Sequence, residues 1–112
     1  MTAKPSYFKV KTQDATQAVV MFTHPEGEFH IGLVYSFTEA FLKWVDTQSK
    51  QLNIVFDIKN ISYIDSKGVY CLREIHNHFE AQGRRLTIAH VEADMVKKVF
   101  EIFKLHLYFE II

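Results

Sequence analysis

This sequence of 112 residues has no net charge and almost no cysteine. The single cysteine, Cys71, cannot form an internal disulfide, which excludes a disulfide-stapled secreted scaffold. Thirteen basic residues balance thirteen acidic ones, so no general electrostatic attraction draws the chain to a phosphate backbone or an anionic membrane. We therefore expect no nucleic-acid partner, and we expect Cys71 to be a small core residue.

Long apolar runs are also missing. No run reaches the roughly 18 residues of a membrane span, and residues 1–6 lack the apolar stretch of a signal peptide. We expect a cytoplasmic protein without direct membrane insertion. Because no linker, repeat or low-complexity segment interrupts the chain, it is predicted to form one domain over residues 1–112.

The motifs of the common enzyme and metal classes are absent as well. The sequence has no G-x-S-x-G, P-loop or G-x-G-x-x-G, and no H-x-x-x-H or C-x-x-C. His76 and His78 are two residues apart on a predicted helix, so they point to opposite sides of it. We expect no metal site, no cofactor and no enzymatic activity.

The hydrophobic pattern that is present alternates between the strand and helix periods. It predicts the order β-β-α-β-α-β-α-β and hence an α/β domain, a mostly parallel sheet of four to five strands with helices packed on it. The predicted strands are 7–11, 18–23, 53–58, 86–91 and 107–112. The predicted helices are 34–48, 66–82 and 92–104, the second of which ends at a glycine, Gly83.

The same periodicity predicts which side chains fill the core. On the third helix the inward residues are predicted to be Met95, Val96, Val99, Ile102 and Phe103. The principal core side chains over the whole domain are predicted to be Phe37, Phe41, Trp44, Ile54, Phe56, Leu72, Phe79, Val99 and Phe103.

The segment with the most chemical content is Asp65-Ser66-Lys67-Gly68, at the start of the second helix. Aspartate and serine are favoured at helix starts, where their oxygens accept bonds from unpaired N–H groups. A purely structural interpretation is that Asp65 or Ser66 is the cap and that Gly68 permits close packing. Asp57, at the end of the preceding strand, is a further carboxylate, which approaches Asp65 if the strand end meets the helix start.

Context gives this tetrapeptide a second interpretation. Residues 54–68 (IVFDIKNISYIDSKG) resemble the signature of STAS domains, the fold of bacterial anti-sigma factor antagonists. Residues 27–29 (GEF) resemble the Gly-Glu-Leu turn after that family's second strand. Residues 82–86 (QGRRL) resemble the helix end and strand start that follow the signature. The resemblance extends from about Tyr7 to the last residue and implies a STAS-like single domain.

The resemblance also implies a function. In the family, the serine of this motif is phosphorylated by an anti-sigma factor that is itself a serine kinase, and the unmodified antagonist binds that partner. By position, Ser66 is the expected phosphorylation site. The expected partner-binding residues are Asp57, Asp65, Ser66, Lys67, Gly68 and Tyr70.

The residues themselves place this surface at the start of the second helix, residues 64–70, with Tyr63 and Tyr70 as aromatic anchors if they are exposed. The chain departs from the family pattern at Lys67, where serine or threonine is common, and at Tyr70, where the residues are smaller. These departures affect the identity of the partner more than the fold.

Two alternatives remain open at this point. The chain could be a STAS adaptor subunit without phosphorylation, in a lipid-transport complex or a signalling scaffold. It could instead be a small enzyme that uses Ser66 as a nucleophile.

Overall fold

A computed structural model describes residues 7–112 of the chain. The expectation about a signal peptide concerns residues 1–6, which lie outside the described residues. The described part forms seven strands and three α-helices. The strands are β1 (Phe8–Gln13), β2 (Gln17–Phe22), β3 (Glu28–Phe29), β4 (Asn53–Asp57), β5 (Tyr63–Ile64), β6 (Thr87–Ala89) and β7 (Glu110–Ile111). The helices are α1 (Val34–Asp46), α2 (Ser66–Ala81) and α3 (Asp94–Ile102).

Five of the strands form the main sheet, in the order β1-β2-β4-β6-β7. β1 and β2 are antiparallel, and every other neighbouring pair is parallel. The β1–β2 turn is closed by Asp14, whose Oδ1 accepts bonds from the backbone N–H groups of Thr16 and Gln17 at 2.8 and 2.9 Å. These two bonds lower the pKa of Asp14, and the bond from Thr16 has the larger effect. The mostly parallel sheet and the predicted order of its five strands and the three helices are confirmed, whereas β3 and β5 were not predicted.

The three helices pack on one face of this sheet. Side chains alternate between faces along a strand, so in β4 Ile54 and Phe56 join the core under the helices. Val55 and Asp57 therefore lie on the opposite face, which carries no helix among residues 7–112. No helix in that stretch has the length and apolar character to cross a membrane.

Most of the predicted core is confirmed. Six of the nine predicted side chains are buried: Phe37, Phe41, Ile54, Phe56, Leu72 and Phe79. Trp44 and Val99 are half-buried and pack against the core from its rim. Cys71 is buried as expected, and this burial raises the pKa of its thiol.

The prediction for the third helix was wrong at three positions. Met95, Ile102 and Phe103 are exposed, at 39%, 67% and 36%, whereas Val96 and Phe100 are the buried residues of α3. The buried stripe of α3 runs through Val96 and Phe100, so Met95 and Ile102 lie to one side of it. The helix stops at Ile102, before Phe103. Lys104 then adopts a left-handed φ of 52°, and a 3-10 turn follows. Leu105 in that turn and Phe109 after it are buried in the core.

A second, two-stranded sheet lies at the edge of the domain and positions the starts of two helices. It pairs β3 with β5 in parallel, Glu28 with Tyr63 and Phe29 with Ile64. Gly27 precedes it with a φ of +67°, and a Cβ there would lie 2.4 Å from the backbone oxygen of Asn60. A glycine is required by both the dihedral and the close approach. α1 follows β3 after a short loop, and α2 follows β5 directly.

Candidate functional site

The start of α2 is held by Asp65, the residue before its first turn. Its Oδ1 accepts a bond from the backbone N–H of Gly68 at 2.8 Å, which is an N-cap. Its Oδ2 accepts a bond from the N–H of Ile31, in the loop before α1, at 3.0 Å. One carboxylate therefore caps α2 and ties it to the neighbouring loop. Of the two capping residues that the sequence left open, the structure selects Asp65.

Ser66 is left free of that structural role. It is the first residue of α2 and its side chain is exposed. Its hydroxyl has no hydrogen-bond partner within residues 7–112. The first N–H groups of a helix lack intrahelical partners, and Asp65 satisfies only those of Gly68 and Val69. The N–H groups of Ser66 and Lys67 therefore remain available beside the hydroxyl.

Gly68 lets α2 approach the small sheet closely. A Cβ at this position would lie 2.5 Å from the backbone oxygen of Phe29 and 2.7 Å from Cγ1 of Ile64. Phe29 also accepts a long bond from the N–H of Asp65, at 3.4 Å. The packing role expected for Gly68 is therefore what the structure shows.

Large apolar side chains surround Ser66 at the surface. Tyr63 and Tyr70 are 43% and 51% exposed, so they are available as the anchors that the sequence suggested. Ile31 and Tyr35 are also exposed. Ile31 adjoins the site because its backbone N–H donates to Asp65, and Tyr35 is in the first turn of the helix that follows this loop. We call the surface that these side chains form the Ser66 surface; it consists of Ile31, Tyr35, Tyr63, Ser66, Lys67 and Tyr70.

Charge on this surface is sparse and local. Nζ of Lys67 lies 5.9 Å from the centre of the Tyr70 ring, at the limit of a cation–π contact. A hydrogen bond with Glu74, and the charge of that carboxylate, raise the pKa of Tyr70, so its hydroxyl stays protonated. The surface is therefore mainly aromatic and apolar, with one cation and an uncharged serine.

Asp57 is not part of this arrangement. It is 2% exposed and lies on the helix-free face of the main sheet. Its Oδ1 accepts a bond from the N–H of Lys59 at 2.9 Å, and its Oδ2 lies 3.8 Å from Nζ of Lys11. The structure thus gathers Asp65, Ser66, Lys67, Gly68 and Tyr70 and separates Asp57 from them.

The histidines that could suggest a metal are engaged separately. His76 pairs with Glu80 at 3.2 Å, whereas His78 lies 2.8 Å from Oδ1 of Asp46 at the end of α1. The bond with His78 is the main reason that the pKa of Asp46 is lowered. Over the described stretch of chain, no three His, Cys, Asp or Glu side chains are grouped as metal ligands would be.

Alanine substitutions at Asp65 and Ser66 are expected to have different effects on the stability of the domain. Replacing Asp65 by alanine removes the cap of α2 and the bond to the loop, and we expect a loss of about 1–2 kcal/mol in the free energy of unfolding. Ser66→Ala removes a hydroxyl without a partner and should change it by less than about 0.5 kcal/mol. Urea unfolding of both variants measures this difference. Equal losses would contradict the assignment of the cap.

Comparison with known proteins adds three findings. A family model described as the STAS domain matches residues 7–112. A candidate anti-sigma factor antagonist from Thermotoga maritima superposes with a TM-score of 0.74 at 18% identity, covering 93% of this chain and 84% of that one. The anti-sigma factor antagonist SpoIIAA in its unphosphorylated form gives a TM-score of 0.64 at 16% identity, covering 94% and 86%.

The same fold also occurs inside a much larger anion transporter. The murine anion transporter Slc26a9 gives a TM-score of 0.72 at 12% identity, over 89% of this chain but only 16% of the transporter. No curated protein sequence matches the chain. At these identities the superpositions establish a shared fold.

Proposed function

The chain belongs to the STAS domain family, and we propose that it is a regulatory protein of the anti-sigma factor antagonist type. It binds an anti-sigma factor with serine kinase activity through the Ser66 surface, and phosphorylation of Ser66 ends the binding. The supporting comparison is the fold shared with two antagonists, one of them SpoIIAA.

The main support for the proposal is that Asp65 stabilises the start of α2 whereas Ser66 has no structural role there. The carboxylate of Asp65 caps α2, so the domain does not need the hydroxyl of Ser66 for its own stability. A serine at the end of a helix, exposed and unbonded, is accessible to a kinase. Four exposed apolar side chains beside it offer the contact area that a partner requires.

A phosphate on Ser66 is compatible with the fold. It adds about −1.5 to −2 charges at pH 7. The N–H groups of Ser66 and Lys67 and the positive end of the α2 dipole favour an anion there. The ammonium of Lys67 adds to this attraction, and the carboxylate of Asp65 opposes it. SpoIIAA in its phosphorylated form superposes on this chain with a TM-score of 0.63, so a phosphorylated protein of this fold is known.

Binding of the partner is where the phosphate has its effect. A protein that packs on the Ser66 surface buries an uncharged hydroxyl among tyrosines. After phosphorylation it would have to strip water from a dianion, which is costly unless the partner supplies matching cations. Phosphorylation therefore acts on the complex and leaves the free domain folded.

The alternative in which Ser66 is a catalytic nucleophile receives less support. A nucleophilic serine needs a base within hydrogen-bond reach. Both oxygens of its neighbour Asp65 already accept backbone N–H bonds. The adaptor alternative keeps one supporting observation, the presence of this fold within an anion transporter.

A pull-down from the native cell with the wild-type chain, followed by phosphosite mapping, tests the proposal. With the captured partner, we expect Ser66→Asp to bind about tenfold more weakly or worse, because it places a charge in the interface. Ser66→Ala should fold normally and bind the partner constitutively, because it cannot be phosphorylated at this position. Ser49→Asp is the matched control, since Ser49 follows the far end of α1, about 20 Å from its start.

Thermal melts of the three variants separate loss of binding from loss of fold. If Ser66→Asp binds the captured protein as tightly as the wild type and Ser66 carries no phosphate in cells, the adaptor alternative replaces the proposed switch.

A further inference from the structure

A groove crosses the helix-free face of the main sheet, away from the Ser66 surface. Its larger part is a cavity of about 350 Å³, within the size range of small-molecule pockets. A second cavity of about 200 Å³ continues it, and Gln17, Val55 and Ile112 line both. The groove follows β4 from Asn53 to Asp57, which is about 13 Å of strand.

The larger part of the groove has an apolar floor and a charged end, whereas the smaller part is lined mainly by polar side chains. Val19, Val55 and Ala89, from three adjacent strands, and Ile112 form the apolar part. The carboxylate of Asp57 stands at one end with only 3% of its side chain exposed. A carboxylate buried this deeply needs a cation or several donors to offset its lost hydration.

The internal partners of Asp57 satisfy it only in part. Its Oδ1 accepts the N–H of Lys59 at 2.9 Å. Its Oδ2 has Nζ of Lys11 at 3.8 Å, beyond hydrogen-bond distance, and Lys11 remains 55% exposed. The pairing register of β1 with β2 shifts between Val10 and Thr12, so Lys11 sits in a bulge. Such bulges re-aim a side chain.

The contact with Lys11 indicates what the groove can hold. Lys11 is a primary ammonium on an aliphatic chain, placed loosely over a buried carboxylate. We propose that the groove is a binding site for a small aliphatic amine, whose ammonium replaces that of Lys11 at Oδ2 of Asp57 and whose hydrocarbon chain lies on Val19, Val55 and Ile112. This site is independent of Ser66 and of any protein partner.

The charges around the groove favour an amine over an acid. Asp57 is the buried charge, and its partner Lys11 is largely exposed to solvent. His90 also lines the cavity, and its Nδ1 lies 3.3 Å from a carboxylate oxygen of Glu92. A primary amine is protonated near neutral pH, so its ammonium complements the carboxylate of Asp57, whereas an acid would be repelled by it.

Hexylamine is the probe that tests this site, with hexanol and hexanoate as neutral and anionic controls of the same chain. We expect hexylamine to shift the methyl resonances of Val19 and Val55, and to raise the melting temperature. Lys11→Ala removes the internal competitor and should tighten binding about fivefold. Asp57→Asn keeps an acceptor for Lys59 but lacks the charge, and should weaken binding about tenfold or more.

Glu39→Gln is the matched control, because Glu39 is an exposed carboxylate on α1 and should leave the affinity unchanged. If Asp57→Asn does not fold, the Lys11→Ala comparison still decides the question. The proposal is overturned if hexylamine shifts neither methyl group in Lys11→Ala, or if hexanoate binds as well as hexylamine.

Discussion

Replacing Phe56 by alanine should lower the free energy of unfolding by about 3–5 kcal/mol, a large part of the stability of a small domain. Phe56 is fully buried at the centre of β4. Its ring lies 5.3 Å from that of Phe37 and 5.6 Å from that of Phe41, both on α1. Truncation leaves a cavity between sheet and helix that rigid neighbours on both sides cannot fill.

Phe103→Ala is the informative control, because the sequence pattern assigned both phenylalanines to the core. Phe103 is 36% exposed, and its contact with the guanidinium of Arg73 at 5.8 Å is a cation–π interaction. We expect this substitution to cost about 1 kcal/mol. Urea titrations give both values, and equal losses in the two variants would contradict the burial described for α3.

The difference between these residues shows why periodicity located α2 well and α3 poorly. Along α2 the buried positions alternate with charged and polar ones, so one face is distinct. In α3 the apolar residues share one side of a helix of only nine residues, but this stripe is wider than the buried face. Val96 and Phe100 are buried, whereas Met95 and Ile102, at the other edge of the stripe, are exposed. Which part of the stripe faces the core depends on tertiary packing, which local periodicity does not encode.

The candidate site was predictable where it is contiguous in sequence. The segment 65–68 is typical of a helix start, and its resemblance to the STAS signature predicts that Ser66 is a phosphorylation site. Ile31 and Tyr35 carried no such signal, because they reach Ser66 only through the two-stranded sheet, whose strands have two residues each. Periodicity does not detect strands so short.

The position of Asp57 shows a different limit. Its strand is apolar on both faces, as expected for a central parallel strand. The alternation of side chains along the strand places Asp57 and Val55 on the same face of the sheet. It does not indicate which face the helices cover. Proximity in sequence to Asp65 suggested one acidic cluster, whereas the alternation of β4 sends Asp57 to the other side of the sheet.

Gly68→Ala should destabilise the domain by about 2 kcal/mol, although alanine is the better helix former. Within a helix, alanine gains up to about 1 kcal/mol over glycine. The new methyl group would lie 2.5 Å from the backbone oxygen of Phe29 and 2.7 Å from Cγ1 of Ile64. Backbone cannot move aside as a flexible side chain can, and overpacking of this kind costs about 1–3 kcal/mol or more. The clash therefore outweighs the propensity.

Gly83 is a control for Gly68, because a side chain at position 83 strains the backbone without creating a steric clash. It follows α2 with a φ of +68° and has open space where a Cβ would stand. Gly83→Ala should cost about 1–2 kcal/mol through backbone strain alone, and Gly83→Asn should recover part of that loss, because asparagine tolerates this conformation. At Gly68 asparagine should be no better than alanine, since space is lacking there. Thermal unfolding of the four variants distinguishes the two causes, and recovery by asparagine at position 68 would contradict the close contact of α2 with β3.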